Sequence, residues 1–298
     1  MGEQESCRCS GIRFCKYCID SDRVQAVIQQ NATLTKSVDA ISKQYGVERT
    51  SSCSFAVVGP SQYSLCPNCN SAFPIINDVL KNCEDHIALV PVSDIKLEGL
   101  FVVADAVSVS EEKELIDFFD NPSPFPPWKL SQSGRRKQDF GPKANFKKQK
   151  LKPSDLPGMP KQLQKILEKV SFLVKRETKK EYCIVEASVL EYTCERSSSI
   201  DPHVDDTWLW GNRVAGLNML EDTVMTFVNS EEKAVDLYLV RGAFFLLSDK
   251  SRYNWMHGIR LNNIKNRRIS ITFRELSENI DMSSEVVKYI KEMSLKFV

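Results

Sequence analysis

From Tyr182 onward the chain breaks into short apolar runs: YCIVEASVLEYT, RVAGLNML, TVMTFV, AVDLYLV, GAFFLLS and RRISITFRE. Each is rich in β-branched and aromatic side chains and bounded by turn formers, the pattern of strands. Many short strands separated by turns predict a double-sheet jelly roll or barrel, in which the opposite sheet covers each strand's apolar face. No internal repeat is evident.

Upstream the period changes. Leu163, Ile166, Leu167, Val170 and Leu173 recur at helical spacing in LPGMPKQLQKILEKVSFLVK and predict an amphipathic helix lying on the sheet. EEKELIDFFD predicts another helix, capped by Ser110, opened by an acidic first turn at Glu111 and Glu112 and ended by the proline-rich NPSPFPPW. Residues 1–90 stand apart, holding eight of the ten cysteines, a helical pattern at SDRVQAVIQQ and a Ser/Thr-rich stretch at ERTSSCS. The chain is therefore predicted to be α+β in two parts. A small Cys-rich module with linkers spans 1–90, and a jelly-roll domain with flanking helices spans 91–298.

With 42% hydrophobic residues among 298, the chain can bury a sizeable core. Forty Lys and Arg against 39 Asp and Glu leave a net charge of +1, so bulk charge selects no nucleic-acid, membrane or acidic partner. No apolar run approaches the roughly 20 residues of a membrane-crossing helix, and MGEQESCRCSGIRFC lacks the apolar centre of a secretory signal. The expectation is a cytoplasmic or nuclear protein without a membrane partner. Its cysteines would stay reduced, and clustered pairs read as metal ligands before disulfides.

Only three histidines occur, and two fall in suggestive places. In SSSIDPHVDDTWLWGN, His203 and Asp205 are two residues apart, so an extended segment aims both side chains to one side. His257, in SRYNWMHGIR, follows several strands later. Two histidines and one carboxylate form a facial triad that leaves positions open on a ferrous ion, as oxygenases need. Beyond His257, Arg268, Ser270, Thr272 and Arg274 share one face of a strand, and paired guanidinium groups suit a dicarboxylate cosubstrate.

The segments HVD, MHGI and RISITFR resemble the AlkB-like Fe(II)/2-oxoglutarate dioxygenases. PWKLSQSGRRKQDFGPKANFKKQK, ERSSSIDPHVDDTWLWG, RRISITFREL and CRCSGIRFCKYC are similar in particular to the homologue 4 group of that family. The resemblance covers roughly residues 98–278 and 7–18. It implies a double-stranded β-helix, iron on His203, Asp205 and His257, and a 2-oxoglutarate site. There Arg274 would meet the carboxylate beside the keto group, while Arg268 and Tyr192 would hold the far one. Ser270 and Leu190 replace asparagines usual in the family, removing two polar contacts to the cosubstrate.

Iron, 2-oxoglutarate and dioxygen together oxidise a neighbouring C–H bond, and an N-methyl group so hydroxylated leaves as formaldehyde. Trp208, Trp210 and Trp255 are equally readable as pocket walls or as core. Arg135, Arg136, Lys137, Lys143, Lys147, Lys148, Lys150 and Lys152, near Phe140 and Phe146, form a basic stretch suited to DNA or to an acidic protein. The resemblance implies demethylation of protein monomethyl-lysine, actin in particular with consequences for actomyosin, with N6-methyladenine in DNA as the alternative.

The remaining cysteines form two candidate zinc sites. Cys7, Cys9, Cys15 and Cys18 make one compact set, and Cys66, Cys69, Cys83 and His86 make a CxxC and CxxH pair. CPNC, FP and EDH also resemble a ubiquitin-binding zinc finger. Its last ligand position is Val90 here, so ubiquitin as a partner requires Cys83 to serve instead. The contrasting expectation is an adaptor that binds partners through the Cys-rich module without turnover.

Overall fold

The strands of the second half build the predicted core. The structure, a computed structural model, describes residues 21–22, 55–121, 123, 125–145, 149–229, 231 and 233–298. Its strands are β1 (Tyr63–Leu65), β2 (Ala72–Pro74), β3 (Leu100–Val103), β4 (Lys129–Leu130), β5 (Arg136–Phe140), β6 (Lys143–Asn145), β7 (Lys150–Lys152), β8 (Glu186–Thr193), β9 (Ile200–His203), β10 (Trp210–Met219), β11 (Thr223–Val228), β12 (Ala234–Leu239), β13 (Phe244–Leu247), β14 (Met256–Ile259) and β15 (Arg267–Leu276). The helices are α1 (Phe55–Val58), α2 (Val109–Phe119), α3 (Gln164–Thr178), α4 (Asp249–Tyr253) and α5 (Glu285–Ser294).

The larger sheet runs β3-β13-β10-β15-β8-β5-β4 and the smaller β2-β1-β12-β11-β14-β9, with the core strands paired antiparallel. Strand alternation decides what each face of β15 meets. Ile269, Ile271 and Phe273 pack with Ile166, Leu167, Val170, Leu173 and Val174 of α3 and with Leu115 and Phe119 of α2. Burying each such side chain contributes roughly 1.5–3 kcal/mol, so the helices fix the outer face firmly. On the other side Tyr192, Phe245 and Leu247 of the larger sheet meet Met225, Phe227, Val235 and Leu237 of the smaller. Gly216 of β10 is required there, because a Cβ would lie 2.2 Å from the Phe245 ring.

Two expectations change. Helix α2 is capped by Ser108, not Ser110: Ser108 and Glu111 form a reciprocal capping box, which satisfies two backbone N–H groups at once. The composition break near residue 90 is not matched by a break in the sheet. Strand β1 pairs in parallel with β12 and antiparallel with β2, so residues 63–74 extend the smaller sheet. The predicted helix at SDRVQAVIQQ, beyond its first two residues, and the ERTSSCS stretch lie outside the described residues. Among the described residues no helix is long and apolar enough to cross a membrane.

Candidate functional site

Strands β9 and β14 are neighbours, and their register sets His203 directly opposite His257. The two rings lie 4.7 Å apart between centroids, tilted by 42°. His203 Nδ1 is 2.9 Å from the Asp201 carbonyl oxygen. A carbonyl can only accept, so Nδ1 carries the proton and Nε2 keeps its lone pair for a metal. His257 keeps part of its surface accessible, yet the protein around it pushes its imidazole down to about 4. Burial is the main cause, Arg252 and Arg274 add to it, and Asp205 opposes. At neutral pH that ring is neutral, the form that ligates metal.

Asp205 follows β9 and is buried. Burial alone would raise its carboxyl, but Arg274, His257, His203 and Arg252 outweigh that and hold it well below the usual carboxylate range. Its Oδ1 accepts from Arg274 Nη2 at 3.0 Å, while Oδ2 is buried without a partner. Arg252 of α4, also buried, donates from Nη1 to the Asp205 carbonyl at 3.0 Å and leaves Nη2 unpartnered, as is Arg274 Nε. Orphaned buried polar groups are costly unless something completes them. An acceptor orphan on the carboxylate fits a cation, and donor orphans on two guanidinium groups fit an anion. The two nitrogens and one oxygen of His203, His257 and Asp205 are the donor set ferrous iron takes, and the arginines suit its acidic cosubstrate.

The face of β15 turned toward the smaller sheet carries Arg268, Ser270, Thr272 and Arg274, opposite Tyr192, Leu190, Ser188 and Glu186 of β8 respectively. Arg274 Nη1 donates to Glu186 Oε2 at 2.5 Å, and its guanidinium lies over the Trp210 ring, 5.4 Å from the centroid. Arg268 is 1% exposed. Its Nε donates to Asn218 Oδ1 at 2.7 Å, it bonds the Tyr192 hydroxyl, and it sits 4.9 Å from that ring's centroid. Among the described residues no carboxylate pairs with it. A buried cation held only by neutral groups is expensive alone and suits an incoming carboxylate.

The structure thus brings together His203 and His257 and joins Asp205 to Arg274 and Tyr192 to Arg268. Asn218, Glu186 and Arg252 are additions the sequence reading missed. Glu186 was findable, since it alternates with Ser188, Leu190 and Tyr192 along one strand. The tryptophans divide: Trp210 lies under Arg274, Trp255 is inter-sheet core, and Trp208 borders a cavity of about 540 Å³ shared with Thr207, Ile280 and Val287.

The basic stretch is corrected in part. Phe140 is no base-stacking surface: it is 1% exposed and packs on Phe118 and Phe119. Arg135 is buried, Arg136 pairs with Glu191, Lys137 with Asp139 and Lys143 with Asp155. Lys150 and Lys152 stay exposed, and Phe146, Lys147 and Lys148 lie outside the described residues.

Of the cysteine sets, Cys7, Cys9, Cys15 and Cys18 also lie outside the described residues. Cys66, Cys69, Cys83 and His86 do converge, their ligand atoms all within 4.8 Å of one another. Cys83 takes the place that the finger resemblance assigned to Val90, which is 81% exposed.

No family model matches the chain. Its sequence is 30% identical to a Caenorhabditis elegans DNA N6-methyl adenine demethylase, over 97% of this chain and 94% of that protein. It is 36% identical to alpha-ketoglutarate-dependent dioxygenase alkB homolog 4 of Mus musculus, over 60% of this chain and 68% of that one. The Homo sapiens protein of the same name is also 36% identical, with 67% of its length covered. Among solved structures, a 2OG-Fe(II) oxygenase family oxidoreductase from Burkholderia pseudomallei aligns with a TM-score of 0.44 at 13% identity, over 59% of this chain and 83% of that one.

Proposed function

Because the chain belongs to the alkB-homologue family of 2-oxoglutarate-dependent Fe(II) dioxygenases, we propose that it removes an N-methyl group oxidatively at the site built around His203, Asp205 and His257. The observation that carries this reading is the buried, unpartnered Oδ2 of Asp205 beside two imidazoles set opposite each other on paired strands.

Bound ferrous iron, with 2-oxoglutarate and dioxygen, supplies the oxidising power to hydroxylate a methyl C–H bond. The protein's own part is positional. The Asp201 carbonyl fixes the His203 tautomer, and the surrounding cations keep Asp205 ionised. Arg268, with Asn218 and Tyr192, would receive the far carboxylate of the cosubstrate, and Arg274 the near one. The buried inter-sheet setting keeps water from competing for the reacting groups. A hydroxylated N-methyl group then breaks its C–N bond, leaving formaldehyde and the free amine.

For the substrate we propose protein monomethyl-lysine, of which actin is the type. The ion pairing of Arg136, Lys137 and Lys143 supports it, since cations already neutralised contribute little to phosphate binding. The second reading, N6-methyladenine in DNA, is favoured by the C. elegans relative, whose match runs nearly end to end. Iron-loaded protein given monomethyl-lysine actin or N6-methyladenine DNA, each scored for formaldehyde, separates the two. Formaldehyde from neither substrate, or equal succinate from wild type and His203→Ala, sinks the proposal. Localisation in the cytoplasm or nucleus is part of the same proposal, checked by imaging the tagged full chain.

A further inference from the structure

The cluster of Cys66, Cys69, Cys83 and His86 lies at the far edge of the smaller sheet and is not used by the dioxygenase chemistry. Cys66 directly follows β1, and the turn to Asn70 is closed by two bonds: Asn70 N–H donates to the Cys66 carbonyl and Cys66 N–H to that of Ser71, each at 3.0 Å. Asn70 has φ of 54°, a left-handed conformation that Asn tolerates better than most residues. This turn places Cys69 beside Cys66.

The other two ligands come from a single 3-10 turn, Cys83–His86. With three residues per turn, positions i and i+3 eclipse, so Cys83 and His86 point the same way. The turn is pinned from within. Asn82 Oδ1 accepts from Glu84 N–H at 2.7 Å, and Asp85 Oδ2 accepts from Lys81 and Asn82 N–H at 2.7 and 3.1 Å. Phe73 of β2 stacks on the His86 ring, centroids 4.0 Å apart, and Cys66 is buried with Phe73 and Leu80.

The spacings match a tetrahedron of zinc size. Zn–S bonds of about 2.3 Å and a Zn–N bond of about 2.0–2.1 Å make an S···S edge of about 3.8 Å and an S···N edge of about 3.6 Å. The observed Cys66 Sγ···Cys83 Sγ separation is 3.7 Å, and Cys69 Sγ···His86 Nε2 is 3.6 Å. A disulfide would need about 2.05 Å. Two pairs drawn from segments 17 residues apart in sequence reproduce both edge lengths.

We propose that Cys66, Cys69, Cys83 and His86 bind one zinc ion in a closed, structural site. Three thiols lose their protons to solvent as three Zn–S bonds form, and His86 ligates through Nε2. All four positions are filled by protein, which leaves no open position for catalysis. The ion ties the β1–β2 turn to the Cys83–His86 turn. Through β1 on β12, β12 on β11 and β11 on β14, it steadies the sheet that carries His257. The proposal goes beyond the dioxygenase reading and does not depend on it.

The test is metal analysis of the purified full chain by mass spectrometry, comparing wild type with Cys69→Ser and His86→Cys. Cys69→Ser should hold about one zinc fewer per chain while still taking up iron at the His203 site. His86→Cys keeps four ligands, so it should retain the zinc. After cobalt substitution, its thiolate charge-transfer absorption should exceed that of wild type. Equal zinc in wild type and Cys69→Ser, iron instead of zinc lost with Cys69, or an unchanged cobalt spectrum in His86→Cys would each overturn the assignment. If Cys69→Ser fails to fold, the cobalt comparison decides alone.

Discussion

The inward face of β15 has a guanidinium at each end, and the two are kept in opposite electrostatic conditions. Arg274 lies between Glu186 and Asp205, which together hold its charge more tightly than in water despite its burial. Arg268 has Asn218 and the Tyr192 hydroxyl but no carboxylate partner among the described residues, and burial pushes its guanidinium down. The Arg274 end is neutralised before any ligand arrives. The Arg268 end stores an uncompensated cation. One strand thereby separates two tasks: at Arg274, holding the ligand carboxylate Asp205 in its ionised form, and at Arg268, attracting an anion.

The largest effect expected from this contrast follows the loss of the group shared with the metal. Asp205→Ala removes a proposed iron ligand and one of the two carboxylates on Arg274, so succinate formation should fall below detection. Turnover near wild type would break the link between the Arg274 end and the triad.

The two arginines should next differ in sign. Arg274→Met leaves Glu186 and Asp205 buried without their shared counter-ion, and breaking a buried pair in this way costs about 3–5 kcal/mol. Arg268→Met removes an unpaired buried charge, so urea unfolding of ligand-free protein should show little loss or a gain. The same Arg268→Met change should raise KM for 2-oxoglutarate roughly 10- to 100-fold, since charged hydrogen bonds contribute about 1.5–3 kcal/mol. Equal destabilisation by both substitutions would erase the contrast.

A smaller, pH-dependent effect comes from Glu186. Burial pushes its carboxyl up to about 7; Arg274 opposes this, while Asp139 and Asp205 add to it. A carboxyl raised on folding contributes stability that is fully present below its unfolded pKa and lost as pH rises through the folded value. Asp205, depressed on folding, runs the other way: its contribution is present at higher pH and lost as pH falls below the usual carboxylate range. Glu186→Gln fixes the neutral form. The stability difference between variant and wild type should therefore grow in the variant's favour from about pH 5 to about pH 7, then level off. A difference that stays constant across this window in urea titrations would mean Glu186 is ionised throughout.

Much of this arrangement was legible in the chain. The apolar runs gave the strands, period-two alternation put Arg268 and Arg274 on one face, and the spacing of His203 and Asp205 with distant His257 marked the triad. The partners that distinguish the two ends were not legible, because they depend on register between strands far apart in sequence. Asn218 reaches Arg268 across 50 residues and Glu186 reaches Arg274 across 88. An Asn inside RVAGLNML reads locally as an interruption of an apolar strand. Only the pairing of β10 with β15 makes it the support of a buried cation. The boundary near residue 90 misled for a related reason: cysteine content marks where a metal site is encoded, whereas β1 is held by hydrogen bonds to β12 that composition does not record.

The smallest effect belongs to Tyr192. Tyr192→Phe keeps the ring 4.9 Å from the Arg268 guanidinium and removes only the hydroxyl. One neutral hydrogen bond contributes about 0.5–1.5 kcal/mol net, so KM for 2-oxoglutarate should rise about 2- to 10-fold. If the hydroxyl acts only by helping hold the far carboxylate, the contact is the same in the ground and transition states and kcat should not move. A fall in kcat at unchanged KM would instead place Tyr192 nearer the reacting centre than the Arg268 end of the strand allows. In that case the two ends are not electrostatically independent, and Asn218 alone must be setting the orientation of Arg268.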